Sequence, residues 1–176
     1  DVFILDILDY SRNTRVDVKN EKIDLPELMS DISTNLKYMS SASTPVDIRV
    51  KIQNDVPVYS DRTRLTILLN NLVSNSIRYS NPDASDPFVE VEIDASQNET
   101  KLKVIDNGIG IDEKYHDKIF DIFFRASRKS QGSGLGLYIV KEAIEKLSGT
   151  LSFKSQPGHG TEFIICIPNS SNISNN

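Results

Sequence analysis

Apolar positions in this 176-residue chain repeat with two different periods, and the switches between them outline a fold. Phe3, Ile4, Ile7 and Leu8 follow helical spacing, as the end of a longer apolar-striped helix would. Asp9-Tyr10-Ser11-Arg12-Asn13 closes that stripe, and a polar linker runs to about Asp24. Pro26 suits the first turn of the next helix, whose stripe is Leu28, Met29, Ile32, Leu36 and Met39. Val46 to Ile52 alternates like a strand, and Val56-Pro57-Val58-Tyr59 predicts a short second one. Asp61 fits the N-cap of a long helix reaching about Tyr79, followed by a Pro/Asp/Ser loop. Phe88 to Ile93 and Leu102 to Ile105 predict paired strands with a turn around Asn98. A long segment with short helical pieces spans 107–134, and a helix follows at 135–147. Thr150 to Ser155 and Thr161 to Ile167 predict a closing hairpin, and the polar tail from Ser170 predicts disorder. Helices and mostly antiparallel strands in this order predict an α/β (α+β) two-layer sandwich.

Composition narrows the function classes. The length suits one domain with a real core. A net charge of −5 argues against a nucleic-acid or anionic-membrane surface. The single Cys166 excludes an intrachain disulfide framework and a Cys-rich zinc site, which fits a reducing compartment. Its place in the run Phe163-Ile164-Ile165-Cys166-Ile167 predicts a buried core thiol. No apolar run has transmembrane length, and no signal peptide opens the chain. The Asn-x-Ser/Thr triplets at Asn98, Asn169 and Asn172 read as chance matches.

Candidate chemistry sits at the element ends. Gly132-Ser133-Gly134-Leu135-Gly136-Leu137 is too rich in glycine for a comfortable helix or strand, yet a helical stripe starts at once. Such a loop offers backbone N–H groups and a positive dipole end to a phosphate, or is a turn allowing close helix packing. On the helix 61–79, Asn71, Asn75, Arg78 and Tyr79 share one stripe, opposite Leu65, Leu69, Leu72, Val73 and Ile77. Two asparagines beside a cation and a phenol suit hydrated Mg²⁺ and its phosphates; an ordinary solvated face is the competing reading. Asp106-Asn107-Gly108-Ile109-Gly110-Ile111 puts an acceptor-only carboxylate at a strand end, where it can read the amino group of adenine or simply end the strand in a turn. Phe120 and Phe123 have core spacing. Arg125, Arg128 and Lys129 form either a phosphate clamp or a solvated basic patch. In Gly158-His159-Gly160-Thr161-Glu162-Phe163, Thr161 offers a hydroxyl near a pocket floor. His159 reads as a turn residue, and His116 as exposed on a short charged helix.

In order, these blocks resemble the ATP-binding catalytic domain of sensor histidine kinases, in the gyrase–Hsp90–kinase–MutL superfamily. Asn71 to Tyr79 is similar to the family's N box, Asp106 to Gly110 to its first glycine box and Phe120 to Arg125 to its F box. Gly132 to Leu137 and Gly158 to Phe163 resemble the remaining glycine boxes, and the resemblance covers about residues 22–168. It implies a Bergerat-type fold, a mixed, mostly antiparallel sheet on three main helices, with ATP under a lid at about 107–134. Asp106 would bind the adenine amino group, with Gly110 and Thr161 lining the base pocket. Asn75 and Asn71 would serve Mg²⁺ and the phosphates. Arg78, Tyr79 and Arg125 would contact phosphate, and Gly134 and Gly136 would present N–H groups. The resemblance also implies nucleotide contacts for Gly108, Ile111, Phe120, Gly132, Leu135 and Leu137, and catalytic roles for Asn71, Asn75, Arg78 and Arg125. Arg78 stands where the family usually has lysine, which keeps the charge but alters its geometry.

Superfamily hydrolases carry a glutamate four residues before the metal-binding asparagine; here that position is Asn71, which cannot accept a proton. Phosphoryl transfer to an external acceptor is therefore the expected chemistry. Residues 1–14 resemble the end of the second helix of a dimerisation and phosphoacceptor domain, with 15–24 as linker and 25–168 as the catalytic domain. Neither His116 nor His159 has an acceptor context, so the chain reads as a fragment of a longer homodimeric kinase. A response-regulator receiver domain is the further partner implied. The expected setting is cytoplasmic, without membrane contact by this fragment, although the full-length protein could be membrane-anchored. An anti-sigma-factor-type serine kinase and a non-catalytic nucleotide-binding docking module are the competing functions.

Overall fold

The structure, a computed structural model, describes Ile4, Ile7, Leu8, Tyr10, Ser11 and Asn13, then residues 17–37, 45–126 and 132–169. Phe3 of the first helical stripe, Met39, Arg128, Lys129 and the tail from Ser170 lie outside the described residues.

Immediately before the first long helix, a strand forms where a polar linker is expected. Strand β1 (Glu21–Ile23) pairs antiparallel with β3 (Val58–Ser60), and Ile23 and Val58 are buried there. Between them lie helix α1 (Leu25–Leu36) and strand β2 (Asp47–Asn54). Asp24 caps α1 by accepting from the Glu27 N–H, Pro26 occupies the first turn, and Leu28, Met29, Ile32 and Leu36 are buried as the stripe predicts.

Helix α2 (Arg62–Arg78) begins at Asp61, whose side chain accepts from the Arg64 N–H. Its apolar face buries Leu65, Leu68, Leu69, Leu72, Val73 and Ile77. They meet the alternating inward residues of β4 (Phe88–Ala95) and β5 (Glu99–Asp106), among them Val89, Val91, Ile93, Leu102 and Val104. Helix α3 (Gly136–Lys146) and the closing hairpin β6 (Thr150–Gln156) and β7 (Gly160–Pro168) complete the fold.

The main sheet runs β2-β4-β5-β7-β6, with β2 parallel to β4 and every other pair antiparallel. The three helices and the buried apolar residues form one layer against it, so the expected two-layer sandwich is the architecture. The opposite sheet face stays polar, with Lys51 bonded to Glu90 and Glu92, and Lys103 to Glu92. Cys166 lies on that face, half-buried, because strand alternation turns Phe163, Ile165 and Ile167 inward instead. The expectation of a core thiol is thus wrong, for reasons of register. Asn169 closes the chain onto the fold: it is buried, donates to the Pro57 and Ser96 carbonyls, and accepts from the Tyr59 N–H.

Candidate functional site

Two cavities open between α2, the end of β5, the segment after it and the start of α3. The larger, about 390 Å³, is mainly apolar and has Asp106 and Thr161 among its walls. The smaller, about 90 Å³, is walled by Asn71, Asn75, Arg78 and the glycine loop. Asn75, Tyr79, Ile119, Phe124, Arg125 and Leu137 border both, so the two are continuous.

Register builds the floor of the larger one. Asp106 ends β5 opposite Thr161 of β7, which brings two positions far apart in sequence side by side. The Asp106 carboxylate accepts from Ser76 Oγ at 2.8 Å, from the Gly108 N–H at 2.9 Å and from the Thr161 N–H at 3.2 Å. Burial lifts its pKa above the ordinary carboxylate value, and these three donors only partly oppose the rise. Thr161 Oγ1 shares a 2.8 Å hydrogen bond with Ser155 Oγ, which also accepts from the Ile111 N–H. Ser155 thereby fastens both sides of the pocket to β6.

Two close approaches shape the entrance. Gly110 has φ +69°, and a Cβ there would collide with the Gln156 carbonyl oxygen. Gly136 opens α3 with its Cα against α2, where a Cβ would lie 2.9 Å from Asn71 Oδ1. Asn71 is buried, and its amide donates to the Ile67 carbonyl at 2.8 Å. One turn on, Asn75 Oδ1 accepts from Arg78 Nη1 at 3.2 Å, and Gly132 packs next to the same guanidinium.

Most of the expected site residues therefore converge. Asn75, Tyr79, Asp106, Gly110, Ile111, Arg125, Leu137 and Thr161 border the larger cavity, and Asn71, Arg78, Gly132, Gly134 and Gly136 border the smaller. Gly108 stands behind the pocket as a donor to Asp106. Phe120 and Leu135 do not border either cavity. Phe120 packs edge-on against Phe153, and Leu135 is buried against Ile67 and Ile139. Phe124 and Ile119 take the wall position expected for Phe120. Phe123, expected in the core, is exposed at φ +62°. His116 is also misplaced by the sequence reading: it is half-buried, edge-on to Phe153, with Nε2 3.2 Å from the Ile111 carbonyl oxygen. His159 is the exposed turn residue expected.

Sequence reasoning missed Ser76 and Ser155. Ser76 had a signal: it is a small polar residue beside Ile77 on the sheet-facing side of α2, where burial demands a hydrogen-bond partner. Ser155 had none, since its partners arrive through strand register.

Among the described residues no cluster of three or more His, Cys, Asp or Glu could hold a metal. That donor set suits Mg²⁺ bound mainly through phosphate and water, with the Asn75 carboxamide oxygen as a protein ligand.

The sequence profile of the histidine kinase-, DNA gyrase B- and HSP90-like ATPases matches residues 60–171, which hold all of these cavity walls from Asn71 to Thr161. The chain belongs to this family. Within it, the chain is a histidine-kinase-type catalytic domain by its relatives. It is 30% identical over 172 residues to the sensor histidine kinase AtsR of Burkholderia thailandensis, covering 94% of this chain and 28% of that protein. The methanogenesis regulatory histidine kinase FilI of Methanothrix harundinacea is 34% identical over 169 residues, 96% of this chain and 19% of its own length. The chain thus spans well under a third of these curated relatives. The mycobacterial sensor histidine kinase MprB superposes with a TM-score of 0.71 at 25% identity, over 86% of this chain and 99% of that structure. Full-length ShkA in complex with AMPPNP shares the fold at a TM-score of 0.79 and 20% identity, over 98% of this chain and 36% of that structure.

Proposed function

We propose that the chain binds Mg-ATP across the joined cavities and, in a longer homodimeric sensor kinase, transfers the γ-phosphoryl group to a histidine on a dimerisation domain. The observation that carries this reading is the split in polarity: a half-buried acceptor carboxylate in an apolar pocket, continuous with a cavity walled by carboxamides and a guanidinium. A carboxylate offers about four acceptor sites. Ser76, Gly108 and Thr161 use three of Asp106's, which leaves capacity for the amino group of adenine. Gly110, Ile111 and Thr161 would line the base, and Arg78, Tyr79, Arg125 and the N–H groups from Gly132 to Leu137 would receive the phosphates. Asn75, with Asn71 as second candidate, would hold Mg²⁺, which neutralises phosphate charge when bound.

Transfer breaks the bond from the γ-phosphorus to the bridging oxygen, forms a phosphorus–nitrogen bond at the acceptor imidazole and leaves ADP. Hydrolysis is disfavoured because no Asp or Glu borders the smaller cavity among the described residues, and Asn71 stands where a base would sit. No helix of the described residues is long and apolar enough to cross a membrane. A receiver domain as the next phosphoryl acceptor, and a cytoplasmic setting, complete the proposal.

Titration of a fluorescent ATP analogue, with and without Mg²⁺, tests the site. Asp106→Asn is expected to weaken binding on the order of 100-fold, about 3 kcal/mol. Asn75→Ala is expected to abolish the Mg²⁺ dependence. Unchanged affinity in both variants would sink the assignment.

A further inference from the structure

We propose that Asp61 and Arg64 form a clasp that fixes the main chain at Asn13, Asp17 and Lys19 on the root of helix α2, making Arg64 a positioning residue for phosphoryl transfer. The clasp itself rests on geometry alone; its effect on transfer rests on the function proposed above.

The two side chains are nearly inaccessible, at 2% exposure for Arg64 and 4% for Asp61, and their ion pair is 2.6 Å long. Asp61 Oδ1 caps α2 through the Arg64 N–H, and its Oδ2 accepts from the Lys19 N–H at 2.9 Å. Arg64 Nη2 donates to the Asn13 carbonyl at 3.0 Å, and Nη1 reaches the Asp17 carbonyl at 3.5 Å. Burying a guanidinium is costly unless its geometry and partners are good, so a side chain this enclosed holds its surroundings in place. What the pair holds is main chain: Arg64 takes the carbonyls of Asn13, from the helix remnant, and Asp17, from the linker, and Asp61 takes the linker's Lys19 N–H. Strand β1 then ties the next residues, Glu21–Ile23, to β3.

The strap is continuous with the nucleotide site at both ends of its contacts. Arg64 and Asp61 sit at the start of the helix that carries Asn71, Asn75 and Arg78. Ahead of the clasp, Tyr10 packs on the small cluster of Ile67, Leu135 and Ile139, and its ring lies 6.0 Å from that of Tyr138. Leu135 directly follows Gly134 of the glycine loop. Helix α2, the glycine loop and the segment before β1 therefore move as one body, and the clasp sets the direction in which any preceding domain leaves the catalytic domain.

Amide hydrogen exchange tests the clasp directly. In the wild-type chain the Lys19 N–H is expected to be protected like the interior amides of α2; exchange at the rate of unstructured chain would overturn the proposal without any variant. Arg64→Met keeps the bulk and removes the charge. It should strip protection from the Lys19 N–H by roughly 100-fold, while amides of β5 and β7 stay protected and ATP-analogue affinity stays within about twofold. Retained protection of the Lys19 N–H in the folded variant would refute the clasp. In the intact kinase, Arg64→Met should lower autophosphorylation kcat several-fold and leave KM for ATP unchanged, because only the approach of acceptor to nucleotide is loosened. An unchanged kcat removes the positioning role. If the wild-type kinase transfers no label, the phosphotransfer reading fails while the exchange measurement still decides the clasp.

Discussion

At Asp106 the same desolvation that would make the proposed adenine recognition selective also raises the cost of the charge. Its pKa lies above the ordinary 3.8 because desolvation outweighs the donors from Gly108, Ser76 and Thr161. Nucleotide affinity should therefore fall as pH drops through that raised value, since the protonated acid faces the adenine amino group with a hydrogen of its own. For stability the sign is opposite. A carboxyl raised in the folded state favours folding most below 3.8, and that contribution is lost as pH rises through the folded pKa. Ser76→Ala removes a donor worth about 1.5 kcal/mol to the charged form. It should push the acid limb of ATP-analogue binding to higher pH. Identical pH profiles for wild type and variant would show that the 2.8 Å hydrogen bond does not tune the carboxylate.

Helix α2 is the element on which core and site meet. Its inward face supplies Leu68, Leu69, Leu72 and Val73, each fully buried, and Leu68→Ala should cost about 2–5 kcal/mol in denaturant unfolding. The other face carries Asn71 and Asn75, so a shift of α2 reaches the smaller cavity, the proposed phosphate site, directly. Helix α3 approaches it closely at Gly136, 2.9 Å from Asn71 Oδ1 for any added Cβ. Gly136→Ala is expected to displace the Asn71 carboxamide and weaken analogue binding, with a change in melting temperature of only a few degrees. A loss of binding that merely tracks loss of folded protein would remove Gly136 from the site. The stripes of α1, α2 and α3 and the Asp61 cap of α2 were legible in the sequence because helical periodicity and capping are local. Strand β1 was not, since a three-residue strand exists only through its pairing with Val58–Ser60.

For the whole molecule, the proposed transfer to a histidine on a dimerisation domain yields the most direct prediction. The chain alone, incubated with radioactive ATP and Mg²⁺, should acquire no stable label on His116 or His159: one is fastened beneath Phe153 and the other lies in a turn. Addition of a matching dimerisation domain should produce acid-labile, histidine-linked label. Acid-stable label on serine would favour the serine-kinase reading instead. By itself, the sequence determined the fold class, the order of strands and helices from α1 onward, the motif blocks and the absence of a hydrolytic glutamate at position 71. These depend on local periodicity and on residue chemistry, which a linear chain displays. Only the tertiary structure decided which groups meet. Register put Thr161 beside Asp106 and Ser155 beside Thr161 and turned Cys166 away from the core, while tertiary packing drew Phe120 onto Phe153 and closed a buried ion pair over the main chain of Asn13, Asp17 and Lys19. Each of those depends on contacts between positions distant along the chain, and burial, not sequence spacing, sets their energies.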